Sequence, residues 1–431
     1  MGLFGRARRD NAVPVVHTDS SLDTAANAAV VALLRQQVAE GRQAGVAVAA
    51  FRHGRLIAHA WAGDGVRADT LFMAASVSKG CVAAALAVLH SRGLLDYAAP
   101  VSKYWAAFAA RGKAEVTVEQ AVSHRAGLCA GTPGPRVVAR LLALHAAFGW
   151  RAMLDGGIAW VATLEPEWPP GTQAAYHHVS WSWIVAGIVR GCTGGAAVRD
   201  VFAEHVAAPL AAARDAHVGV LPRAEARRVC KMVRPGLVAL WRHTREELLP
   251  HATRLVCLVR TLLAWLEALV MTLIFNSALF ASVCLPSSNG FWTAAAVARL
   301  YGALANGGRV ELPADDAGGD AKVATLLTDD ALARIVAKVR DDPRVPSPRE
   351  GPGSRALNGL GFTPWPGAVH GADTSSCILG HGGMGGSVAF ADIDRGLGVA
   401  ILRAGYTPIS LSQTSACATT RELADCIRAH C

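Results

Sequence analysis

The chain is short of charge and of aromatic rings. Of its 431 residues 17% are Asp, Glu, Lys or Arg and 6% are Phe, Trp or Tyr, whereas 52% are hydrophobic. That balance excludes wholesale disorder. Basic residues prevail to a net charge of +9, but the clusters at Arg6–Arg9 and Arg223–Lys231 are short and the rest are scattered. The charge therefore reads as a surface-potential feature, with no nucleic-acid partner expected. The ten cysteines (81, 129, 192, 230, 257, 284, 377, 417, 426 and 431) include no Cys-x-x-Cys and no finger-like spacing. Most sit in apolar runs, as small core residues do. No apolar segment follows Arg6, Arg8 and Arg9, and Arg6 stands where a myristoylation signal wants Ser or Thr. A reducing, cytoplasmic setting is the expectation.

Three motifs are also missing: a Gly-x-Ser-x-Gly elbow, His-Glu-x-x-His and a P-loop lysine. Gly380-His381-Gly382-Gly383-Met384-Gly385 matches G-x-G-x-x-G literally, but a strand follows it and no βαβ unit surrounds it, so a dinucleotide site is rejected. His177 and His178 are adjacent and point different ways on any regular element, which makes a poor metal pair. Neither cofactor nor metal is expected.

The chain order is readable in outline. Residues 1–21 read as a tail. An alanine-rich helix runs from Leu22 to about Glu40, and Val46–Phe51 and Leu56–Trp61 form a hairpin about Arg52-His53-Gly54-Arg55. The middle is helical and loop-rich, with a short helix over Thr117–Ser123 and others over Trp181–Arg190 and Phe202–Leu210. Leu255–Val283 is the most apolar stretch. Its run from Thr261 to Phe275 is shorter than the ~20 residues a spanning helix needs, and Arg254, Arg260 and Glu267 make one polar stripe. A buried or lid helix is favoured there over a membrane-embedded one. Helices at Thr293–Ala305 and Asp329–Val339 are followed by a Pro/Arg-rich loop, Asp341–Arg355, then by β-structure and a last helix over about Thr419–His430.

The chemistry centres on Met73-Ala74-Ala75-Ser76-Val77-Ser78-Lys79-Gly80. A helix is predicted over Val77–Ser91, and residues three apart share a helix face, so Ser76 and Lys79 point to one place. A serine hydroxyl needs a base to take its proton, and a lysine in apolar surroundings can serve. The free N–H groups of a helix N-terminus would hold an oxyanion. Alone the pair is weak evidence, since on the order of one or two such spacings arise by chance in a chain this long. Tyr176 follows the turn Trp168-Pro169-Pro170-Gly171-Thr172 and precedes a helix, a loop position suited to a site. With Lys79 near, its phenolate would be favoured and could act as general base. An edge strand beginning His381-Gly382-Gly383 would offer a second oxyanion N–H.

Together these pieces resemble the serine β-lactamase-related family: class C-type β-lactamases, D-specific peptidases and the esterases sharing their fold, with the esterase-like branch nearest. The matching segments come in family order from about Leu22 to the C-terminus: Gly45–Ala49, Asp69–Lys79, Leu94–Trp105, Val116–Leu128, Trp168–Thr172 with Tyr176-His177, His217–Gly219, Leu285–Gly290 and Gly380–Gly383. The resemblance implies an α+β fold of β-lactamase/transpeptidase type, a mostly antiparallel sheet flanked by helices plus a mainly helical subdomain. The sheet part would span about 22–98 and 356–431, and the helical middle about 99–355.

It implies a serine hydrolase cleaving a small-molecule ester or amide through acyl-Ser76. Lys79 would be the activating partner, Tyr176 the proton relay, and the N–H groups of Ser76 and Met384 the oxyanion hole. Two departures matter. His178 replaces the asparagine of Tyr-x-Asn, and His381 replaces the lysine of Lys-Thr-Gly with a side chain mostly neutral at pH 7. Loss of that lysine argues for an esterase over an efficient β-lactamase. The alternatives are a true β-lactamase and a weakly active scaffold of the same fold. Membrane association through 255–283 is open but not favoured.

Overall fold

A computed structural model describes residues 15–129, 133–238, 240–241, 253–312, 322–340, 359–364, 377–408 and 418–431. Its thirteen strands are β1 (Val16–Thr18), β2 (Gly45–Arg52), β3 (Arg55–Gly63), β4 (Leu71–Met73), β5 (Ala216–Val218), β6 (Val229–Cys230), β7 (Gly290–Trp292), β8 (Arg309–Leu312), β9 (Lys322–Thr325), β10 (Thr363–Pro364), β11 (Ile378–Gly382), β12 (Val388–Asp392) and β13 (Leu397–Arg403). Seven form one antiparallel sheet in the order β1-β3-β2-β13-β12-β11-β10. A smaller sheet, β5-β7-β4-β6, carries the segment leading to Ser76, and β8 pairs with β9.

The large sheet is covered on both faces, which explains why its strands read as unbroken apolar runs. Along β2 the side chains alternate: Val46, Val48 and Ala50 pack with helices Ala25–Ala39 and Ala418–Ala429. Ala47, Ala49 and Phe51 face the core containing helices Val77–Ser91 and Ala294–Ala305. Small residues let the latter helix lie close, for a Cβ at Gly398 would meet the backbone nitrogen of Gly302 at 2.0 Å. The β2–β3 hairpin turns on His53 and Gly54, both at positive φ (46° and 79°), as a two-residue type I′ turn demands.

Several expectations need correction. The supposed tail contains β1, paired with β3 through His17↔Trp61; residues 1–14 lie outside those described. Helix Ala294–Ala305, which falls within the span expected for the helical middle, packs on β2 and β13 of the large sheet. Unforeseen elements are the β8–β9 hairpin and the 28-residue helix Pro135–Ala162, kinked at Gly149, where φ is 82°. His381 does not begin an edge strand: it lies near the end of β11, which β10 flanks. The loop 341–355 falls outside the described residues, and the nine cysteines among those described are free thiols.

The apolar segment is a 22-residue helix, Arg254–Phe275, longer than the Thr261–Phe275 run and buried on one side only. It packs inward through small residues and leaves most of its large side chains exposed, because the segment beneath it is met by Ala264 and Ala268 rather than by leucines.

Candidate active site

The strand β4 ends at Met73, and the chain turns through Ala74 and Ala75 into helix Val77–Ser91, with Ser76 at its N-cap. Ala75 has φ of 46°, the left-handed region a non-glycine enters at a cost of about 1–2 kcal/mol. The Ser78 hydroxyl fixes this turn: it donates to the Ala75 carbonyl at 2.6 Å and accepts from the Gly290 N–H at 2.9 Å. The turn therefore holds Ser76, half-buried, at the mouth of the helix.

The expected row of free helix N–H groups is not there. Val77, Ser78 and Lys79 donate to the carbonyls of Ala74, Ala75 and Ser76. Among the backbone bonds of the described residues, neither the Ser76 nor the Met384 N–H is a donor. These two amides belong to segments in close approach. A Cβ on Gly383 would stand 2.5 Å from the Ala74 carbonyl oxygen and 3.4 Å from the Val77 nitrogen, so only glycine lets the end of β11 come this near to Ser76. The next turn of the helix does the same at Gly80, whose added Cβ would lie 3.2 Å from the His381 Cβ.

Lys79 is completely buried. Its Nζ lies 3.5 Å from Ser76 Oγ, 3.2 Å from the Ser287 carbonyl and 3.3 Å from the His178 carbonyl. Burial drives its pKa well below the ordinary lysine value, and no carboxylate among the described residues offsets it. A neutral amine has two N–H donors and one lone pair. A deprotonated Lys79 that kept both carbonyls would turn its lone pair toward Ser76, the third neighbour of its Nζ.

The carbonyls are themselves anchored. The Ser182 hydroxyl donates to Ser287 Oγ at 2.6 Å and accepts from the Ser287 N–H at 3.0 Å, while Ser287 Oγ lies 3.2 Å from the His178 carbonyl. The asparagine missing at position 178 is thus replaced, for holding Lys79, by backbone. The exposed His178 ring instead meets Tyr176 edge-on at 4.7 Å.

Tyr176 joins the same cluster. Its ring centroid lies 4.6 Å from Lys79 Nζ, 4.7 Å from the His124 ring and 6.1 Å from that of His381. His124, which sequence reasoning did not single out, is buried with φ of 62°, and its Nδ1 accepts from the His177 N–H. Its place in the Ser123–Leu128 segment was the available signal. His177 is a core histidine with both nitrogens used: Nδ1 lies 2.6 Å from the Ala175 carbonyl and Nε2 accepts from the Leu128 N–H. Burial lowers its pKa to about 4. His381 is buried too, its Nδ1 2.6 Å from the Gly382 carbonyl, and burial with Lys79 nearby lowers its pKa to about 3. Neither can be a cation at neutral pH. No metal-binding group of His, Cys, Asp and Glu occurs among the described residues.

Ser76, Lys79, Tyr176, His178, His381, Gly382 and Gly383, drawn from three distant segments, therefore lie in one neighbourhood, and Met384 follows in the turn after β11. The β-lactamase family profile matches residues 30–413. The chain belongs to the β-lactamase family. Within it, the chain is 30% identical over 379 residues to the esterase/β-lactamase LipL of Mycobacterium tuberculosis, covering 84% of this chain and 77% of that one. Among solved structures it resembles a family VIII carboxylesterase (TM-score 0.70, 25% identity, covering 96% of this chain and all of that one). It equally resembles a penicillin-binding protein homologue from Caulobacter crescentus (TM-score 0.70, 25% identity, 97% of this chain and all of that one). The fold is α+β, as expected, and this β-lactamase-family protein is a serine hydrolase.

Proposed function

We propose that this hydrolase cleaves esters by two-step acyl transfer through Ser76. The observation that carries the reading is the buried Lys79 amine, 3.5 Å from Ser76 Oγ with two backbone carbonyls also within hydrogen-bond reach. In the first step the Ser76 hydroxyl donates its proton to the Lys79 lone pair as Oγ attacks the acyl carbon. The carbonyl oxygen becomes an oxyanion held by the N–H groups of Ser76 and Met384. Tyr176, over whose ring the lysine sits, relays the proton to the leaving alkoxide. Water then attacks acyl-Ser76 by the reverse proton path and frees the acid. The lowered Lys79 pKa and its place beside Ser76 are the reasons the base role is given to Lys79.

Esters are favoured over β-lactams because His381 stands where the lactamases carry a lysine and is neutral. His381 offers a substrate carboxylate no cation at neutral pH. The LipL name couples both activities, so the two are compared directly: turnover of p-nitrophenyl acyl esters and of nitrocefin by wild type and Ser76→Ala. Ester turnover that exceeds nitrocefin turnover and vanishes in the variant supports the reading. Equal or greater nitrocefin turnover makes the protein a true β-lactamase, and ester turnover surviving in Ser76→Ala removes Ser76 from the mechanism.

A further inference from the structure

Helix Arg254–Phe275 is inverted relative to a helix of a water-soluble surface. Its protein-facing side is Cys257, Thr261, Ala264, Ala268 and Thr272, all small and all buried. The two threonine hydroxyls donate back to the carbonyls of Cys257 and Ala268, so no polar atom interrupts that contact. The opposite side carries Leu255, Val259, Leu262, Leu266, Val270 and Leu273, from 41% to 69% exposed. Their steps of four and three residues put them in one stripe, running over roughly 27 Å of helix. A continuous apolar stripe of this length is rare on a soluble monomer.

The rim of the stripe is cationic. Arg254 and Arg260 are exposed on the helix itself. Arg234 lies with its guanidinium 4.9 Å from the Trp265 ring, an amphipathic pair suited to a polar–apolar boundary. The helix has a single carboxylate, Glu267, which accepts the Tyr406 hydroxyl at 2.8 Å. The whole chain carries +9.

We propose that this face docks on the surface of an anionic lipid bilayer, with the leucine–valine stripe in the headgroup–acyl boundary and the arginines against lipid phosphates. Charge decides between occupants: a second copy of this chain would offer the same cationic rim, whereas an anionic bilayer offers its complement. The helix lies along the membrane rather than through it, because it is fastened to the domain. The Asn276 side chain accepts from the Met232 N–H and donates to the Met232 carbonyl, and Ala268 is buried in the cluster that holds Met73 and Ala75. That cluster also ties the inner side of the helix to the turn that carries Ser76. Lipid binding does not depend on the acyl-transfer reading and is measured without substrate.

The test is co-sedimentation of the full chain with vesicles of phosphatidylcholine alone and of phosphatidylcholine mixed with phosphatidylglycerol. Wild type is expected to partition onto the mixed vesicles, less so at high salt. Replacing three exposed leucines (Leu255→Glu, Leu266→Glu, Leu273→Glu) should weaken partitioning at least about tenfold while ester turnover persists. A second variant, Arg254→Gln with Arg260→Gln, keeps the apolar stripe and should lose only the preference for anionic vesicles. No partitioning by wild type, or undiminished partitioning in the leucine variant, overturns the proposal. So does a wild-type dimer in sedimentation velocity that the leucine substitutions convert to monomer, because the face would then be an interface between copies.

Discussion

The Lys79 amine meets the Ser76 hydroxyl oxygen at 3.5 Å in a buried setting that, among the described residues, gives the amine two carbonyl acceptors and no carboxylate. Desolvation lowers the pKa of a lysine so placed, and in its deprotonated form, with both carbonyls kept, the lone pair would be left for Ser76.

Removing that lone pair isolates its contribution. Lys79→Met keeps the volume of the side chain and deletes a desolvated amine, so kcat for ester hydrolysis should fall by ~10²–10⁴-fold with the melting temperature unchanged or higher. Tyr176→Phe should lower kcat over the same range if the phenol relays the proton. Steady-state kinetics together with thermal denaturation checks both, and near-normal turnover in either variant removes that residue from the proton path.

Close approach of β11 to the Ser76 turn rests on an absent side chain. Gly383→Ala puts a Cβ 2.5 Å from the Ala74 carbonyl oxygen, against backbone that cannot swing aside. The end of β11 must move, and with it the Met384 N–H. A displacement near 1 Å at a reacting centre costs on the order of 10²-fold. The expected result is a kcat reduced by at least about tenfold with the substrate KM little changed, measured on a p-nitrophenyl ester.

How much of this was legible depended on distance along the chain. Helix Val77–Ser91, the β2–β3 hairpin and the last helix carry their signals locally, in apolar runs, caps and turn residues. The gathering of Ser76, Tyr176 and His381 could be read only through resemblance, since no local pattern joins residues a hundred or more positions apart. The Ser182–Ser287 bond, across 105 residues, had no signal of its own, because lone serines are common and bonded ones look the same in sequence. Helix Arg254–Phe275 misled for another reason. Its apolar content suggested burial, but the buried set is Cys, Thr and Ala, and hydrophobicity alone does not say which side of a helix meets the protein. The strand β1 is three residues long and was lost in a polar terminus.

Buried histidines give the protein an acid limit. His177 has a pKa of about 4 and His381 of about 3 in the folded chain, against about 6.5 when exposed. Between those values the unfolded chain binds a proton that the folded one refuses, so unfolding free energy rises with pH. The contribution is fully present above about pH 6.5 and is lost as pH falls toward the folded values. For His177 it amounts to roughly 3 kcal/mol. Urea midpoints should therefore fall between neutrality and about pH 5, and His177→Gln should flatten that slope. Activity should show no inflection at the ordinary histidine pKa from His381; its acid limb belongs to Lys79, whose protonation removes the lone pair.

The most direct test of the central claim is where a serine-directed probe attaches. Wild-type protein treated with a fluorophosphonate and mapped by peptide mass spectrometry should carry the adduct on Ser76, with labelling slowed strongly in Lys79→Met and absent in Ser76→Ala. An adduct on another residue, or labelling of wild type no faster than of Ser76→Ala, would contradict acyl transfer through Ser76.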